Sequence, residues 1–228
     1  MPEGVLEVLR ELERADEEIG DELAELERLA GEVESVRTKA EELKTFAARL
    51  PADREARAQE LQRAKVEAAA AQRVLGEAEE RVRTARPEDA QDAERFLVRA
   101  RDHASVAERR LEEAAASAED LKDRVTEATI QGHELHTHAR RLAADLLGRP
   151  RIAEDAGREP DADLAGVEAW SEVARAALFV GRGQLAAERD GIIRQANELG
   201  AAALGEPLTS LGTGALARRV ERGLARDT

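Results

Sequence analysis

The sequence contains no cysteine and no tyrosine, and only one tryptophan and three phenylalanines. Without cysteine there is no disulfide framework, no thiolate metal site and no thiol nucleophile. Aromatic residues at 2% of the chain leave little material for a thick core built on rings. Proline is scarce too, six in 228 residues, so long helices meet few interruptions. No apolar run approaches the ~18–20 residues that a membrane span needs, and the first residues show no apolar signal-peptide segment. The expected location is the cytoplasm. A phosphate loop is missing as well: Gly181-Arg-Gly183 lacks the Gly-x-x-x-x-Gly-Lys-[Ser/Thr] spacing.

What the chain has is charge, alanine and leucine. Charged residues make up 37% of it and the net charge is −14. Such a composition with a seven-residue period builds long helices rather than a globule. The charge is concentrated: residues 1–35 hold thirteen acidic residues against three arginines, a local balance of −10. That end repels phosphate backbones and anionic lipid and attracts basic protein surfaces. Direct nucleic-acid binding is therefore not expected, and membrane binding is open but not favoured.

Small and apolar residues recur at alternating steps of four and three from Ala93 through Leu97, Ala100, Ala104 and Ala107 to Leu142 and Leu146. This is the seam of a helix packed lengthwise on another helix. An earlier stripe runs Leu9, Leu12, Asp16, Ile19, Leu23, Leu26, Ala30, Val33, and then takes a second three-residue step to Val36. Such a slip locally overwinds a coiled coil. From Val36 the alternation resumes through Ala40, Leu43, Ala47 and Leu50, passes Arg54 and Arg57, and continues from Leu61 to Ala85.

Arg86–Pro87 separates the two seams, and proline followed by Glu88 and Asp89 signals a helix start. A reversal here sets residue i opposite a residue near 175 − i: Leu75 meets Ala100, Leu50 meets Val125, Val33 meets Leu142. Arms of about 60 residues at ~1.5 Å per residue give a hairpin ~90 Å long. Pro51 allows two readings, a kink within one arm or a reversal that makes a three-helix bundle. The unbroken heptad phase across it, and the lack of Gly or Asn before it, favour the kink.

Leu147-Gly148 with Pro150 beyond is a helix stop, and 148–162 reads as a linker. A further helix begins near Pro160–Asp163 with the stripe Leu164, Val167, Ala174, Leu178, Gly181, Leu185, Ile192, Leu199, Ala202, and ends at Gly205-Glu-Pro207. Gly181 and Gly183 are read as close packing or a bend. After a Ser/Gly/Thr turn, Thr213 is placed to cap a last helix with Leu216, Val220 and Leu224 on one face and Arg218, Arg219, Arg222 and Arg226 elsewhere, beside Glu221 and Asp227. The expected fold is all-α: residues 26–147 form a long antiparallel coiled-coil hairpin with its tip near Arg86–Pro87. Segment 1–25 joins the helices of 163–228 in a small base.

Candidate sites are few. His133 and His136, one helical turn apart and with His138 nearby, could share a metal if Glu41 or Glu42 completed the set, but solvated histidines beside a seam are the expected state. No cofactor is expected. The acidic tip, Glu88, Asp89, Asp92 and Glu94, is similar in outline to the transcription-cleavage factors of the Gre type; helix N-terminal acids are the plain reading. Trp170, Phe179 and Val180 are expected in the base core, with an exposed partner site as the alternative. The arginines at 218, 219 and 222 could meet an acidic surface.

The sequence gives no argument for a serine–histidine–acid arrangement, and one thin seam encloses little, so an enzyme is not expected. The leading functional expectation is a coiled-coil scaffold or adaptor that binds proteins and self-associates. The layout of a short first segment, a hairpin turning near residue 86 and further helices is also similar to PspA and ESCRT-III-like membrane-remodelling filament subunits. The long coiled coil resembles SMC-like proteins, which implies an accessory role in DNA processing.

Overall fold

The computed structural model describes residues 2–205 and 212–224, with side chains for 4–205 and 212–222. The order is α1 (Pro2–Thr84), α2 (Ala90–Leu146), a single 3-10 turn (Glu154–Gly157), α3 (Leu164–Leu204) and α4 (Thr213–Leu224), with no strand among the described residues. The long helices α1 and α2 pack against each other as a helical hairpin. The chain divides into two compact units, residues 42–133 and residues 1–41 with 134–228. The expected Pro207, Ser210, Arg226 and Asp227, and the side chain of Leu224, lie outside the described residues.

In the unit of 42–133 the helices meet along the alanine seam. Ala68, Ala71, Ala104 and Ala107 form its buried centre, with Leu75 and Leu111 packed against it. The predicted register is met on both borders. Arg110 reaches Glu67 at 2.5 Å on one side and Gln72 bonds Glu108 on the other, pairs whose numbers add to 177 and 180. Nearer the turn the Arg81 guanidinium lies 5.6 Å from the Phe96 ring centre. Farther from it, Arg124 lies 5.5 Å from that of Phe46. Both are cation–π contacts that cap the seam's edge with an otherwise exposed ring. An alanine buries only about one methyl group, ~0.8 kcal/mol, against ~1.5–3 kcal/mol for a leucine. This unit therefore gains close helix approach and fixed register rather than a deep core.

α1 runs unbroken through Pro51, so the chain does not reverse there. A proline inside a helix loses one backbone hydrogen bond and crowds the preceding turn. The carbonyl left without that partner belongs to Ala47, which is exposed, as is all of 51–60. The reversal lies at Pro87. Asp89 N donates to Arg86 O at 2.9 Å, and Ala93 N donates to Asp89 O at 3.0 Å. Helix α2 therefore starts at Ala90, three residues later than Pro87, because residues 86–89 close a turn first.

The other unit has the larger core. Leu9, Leu26, Leu29, Val33 and Val36 of α1 are fully buried, as are Leu142 and Leu146 of α2 and Leu178 and Leu185 of α3. Leu29 rather than Ala30 points inward. The double three-residue step thus falls at Leu23–Leu26–Leu29, one heptad earlier than the Ala30–Val33–Val36 step read from sequence, because leucine fills the core that alanine would leave open. Leu9 also packs with Ala196, Leu216, Ala217 and Val220, which seats α4 on the α1–α3 pair.

Residues 148–162 are a fitted segment. Gly148 and Arg151 take left-handed backbone angles, φ 75° and 68°, a conformation natural to glycine and strained for arginine. Arg151 is held there by Glu188 at 2.6 Å and Glu22 at 3.4 Å. Ala156 is fully buried and its carbonyl accepts the indole N–H of Trp170 at 3.0 Å. A Cβ at Gly181 would come within 2.8 Å of Ile152 Cδ1, so this glycine is the close packing the sequence suggests. Gly183 is not: nothing lies within 4 Å of a Cβ there. Asp163 caps α3, accepting from Gly166 N at 2.6 Å, and Gly205 ends it at φ 65°.

Candidate functional site

The four histidines do not assemble a metal centre. His136 Nε2 donates to Pro160 O at 3.3 Å, and His138 Nε2 lies 3.6 Å from a Glu32 carboxylate oxygen. Among the described residues, no group of three or more His, Asp or Glu side chains is placed to hold an ion.

At the turn, Glu88, Asp89 and Asp92 are exposed. Asp92 forms a loose ion pair with Arg95 of its own helix at 3.7 Å. It therefore acts first on the α2 N-terminus, where a carboxylate meets the positive end of the helix dipole.

Trp170 and Phe179, expected together in the core, separate. Trp170 is buried with its N–H satisfied, whereas Phe179 is 78% exposed and Val180 beside it 53%. The expectation of a buried Phe179 and Val180 fails because α3 carries apolar residues on two faces, and the face of Val167, Ala174, Leu178 and Leu185 wins the core. Val66 and Val98 are the most exposed large apolar side chains in the unit of 42–133.

Arg218, Arg219 and Arg222 are exposed on α4, and the apolar face of that helix is occupied by Leu9 and Ala196. Arg10 of α1 meets Glu221 at 3.2 Å across this seat. Thr213, the first residue of α4, donates its hydroxyl to Asp16 Oδ2 at 2.6 Å.

Asp16 is the polar centre that sequence reasoning missed. It occupies a seam position and is 8% exposed. Arg189 Nε donates to its other oxygen at 2.7 Å. Burial pushes the carboxyl up, but the hydrogen bonds from Thr213 and Arg189 and the charge of Arg189 together hold it below the usual carboxylate range. One acid thereby ties α1 to α3 and to the start of α4. The signal in the sequence is an aspartate in a row of leucines, which demands a buried donor somewhere.

On the surface, Glu25 accepts from Arg28 at 2.8 Å and Arg149 at 3.1 Å, and its carboxyl is lowered to about 2, chiefly by the Arg28 hydrogen bond. A groove of about 460 Å³ opens between α2 and the fitted segment, lined by Thr137, Arg140, Leu147 and Gly157. Arg140 there is already held by Glu159 at 2.5 Å. Among the described residues, no helix is long and apolar enough to cross a membrane. No protein-family model, no curated protein and no solved structure matches the chain.

Proposed function

We propose that the protein is a non-enzymatic coiled-coil scaffold or adaptor of the cytoplasm, which holds protein partners, including further copies of itself, on the surfaces of its helices. The observation that carries this reading is the locked register of the 42–133 unit. A seam of alanines with bonded pairs on both borders, Glu67–Arg110 and Gln72–Glu108, spends its side chains on alignment. Most of the remaining surface is left to solvent, with Val66 and Val98 on it. A surface of fixed spacing is what a scaffold requires. The membrane-remodelling reading needs a free amphipathic helix, and the apolar face of α4 is already covered.

The test is photo-crosslinking in the source cell, with a photoreactive residue placed at Val66, Val98 or Glu88 one at a time. A scaffold gives discrete adducts with the same proteins on repetition. Adducts that change from one repetition to the next, with none recurring, would remove the reading.

A further inference from the structure

The second apolar face of α3 has a spacing and a size pattern of its own. Ala169, Val173, Ala176, Val180, Gly183 and Ala187 follow one another at steps of four and three, and all six are exposed. This is a heptad seam on the side of α3 opposite the one that faces the core. Phe179, the most exposed large apolar side chain among the described residues, stands along its edge.

We infer that this face is a self-association surface, on which α3 of a second copy packs antiparallel about a twofold axis near Leu178. The inference rests on the scaffold reading and names one of its partners. The occupant follows from self-complementarity, since a twofold contact must pair a surface with itself. Turned end for end about residue 178, the stripe sets Val173 against Gly183, Val180 against Ala176 and Ala169 against Ala187. Each larger side chain meets a small one, and Phe179 meets Phe179 beside the axis.

The borders agree in charge. One carries the exposed, uncharged Gln184, with Trp170 and Ala177 buried beneath it. On the other, Glu172 pairs with Arg175 at 2.9 Å and Arg182 with Glu27 at 2.9 Å within each copy, so the border presents charges that are already matched. Gly183 weakens α3 by ~1 kcal/mol relative to alanine, and among the described residues nothing lies within 4 Å of a Cβ built there. A second helix would. Val173, Phe179 and Val180 are 43%, 78% and 53% exposed, a small patch of the weakly associating class, to be searched from about micromolar concentration upward.

Sedimentation equilibrium of the full chain across that range tests the inference, with the single buried Trp170 as a fluorescent check on folding. The wild type is expected to dimerise, and Val180→Glu, a change on an exposed site, to weaken the dimer at least about tenfold. Val66→Glu in the other unit is the control and leaves it unchanged. Orientation is read by mixing Ala169→Cys with Ala187→Cys protein: the mixed disulfide forms, and neither protein links to itself. A wild type that stays monomeric throughout overturns the inference, as does a dimer indifferent to Val180→Glu or an Ala169→Cys protein that links to itself. In each of these cases the scaffold reading stands or falls on its own crosslinking result.

Discussion

Asp16 shows how much one side chain organises. Its carboxylate takes hydrogen bonds from Arg189 and Thr213 at a position where a seam would hold leucine. Asp16→Ala leaves both donors without their acceptor, and the expected loss is about 1–3 kcal/mol, measured by urea unfolding. Thr213→Ala alone costs less, and the double variant costs less than the two losses added, because the pair shares one interaction. The pH dependence follows from a carboxyl held below its ordinary range. Its contribution is complete above the unfolded value of about 4 and is lost as pH falls through the lower folded value. Hydrogen exchange in α4, corrected for its intrinsic rate, is expected to accelerate below about pH 4, and an α4 equally protected at pH 3 and pH 6 would falsify this role. The sequence displays the aspartate but not its donors, which lie 173 and 197 positions away. No local pattern joins such residues.

At the scale of the element, Pro51 and the alanine seam set the behaviour of the long helices. Pro51→Ala restores a backbone hydrogen bond in an exposed stretch. It is expected to stabilise the 42–133 unit by up to ~3 kcal/mol, read from the thermal unfolding of helical ellipticity. Ala104→Leu, by contrast, forces a branched side chain between backbones spaced for alanine and is expected to destabilise by about 1–3 kcal/mol. The hairpin was legible because alanine and leucine hold one phase over many turns, and a phase carries a partner with it. The two faces of α3 were not distinguishable in that way. Val173 and Val180 repeat with the same period as Ala174 and Gly181, and periodicity does not say which of two apolar stripes the core covers. The start of α2 was misplaced for a similar reason: Pro87 suits a first helical turn and a tight turn equally well.

Over the whole molecule the two units differ in what they bury. Residues 42–133 bury mainly alanine, while 1–41 with 134–228 bury leucine, valine and Trp170. Amides between 51 and 84 are therefore expected to exchange faster than those between 26 and 40, although both lie in one helix. Urea should lower the ellipticity before it changes the fluorescence of Trp170. The composition made this division visible only in part, since it counts alanines without saying which helix they face. What underlies the functional reading is the antiparallel register itself, and the cysteine-free chain allows it to be measured directly. Ala71→Cys with Ala104→Cys places two thiols in the same buried cluster, and oxidation is expected to close an intramolecular disulfide in the monomer. Ala71→Cys with Ala114→Cys, offset by ten residues or ~15 Å along the helix, is expected to stay open. Closure of the second pair and not the first, or closure only between molecules, contradicts the hairpin register.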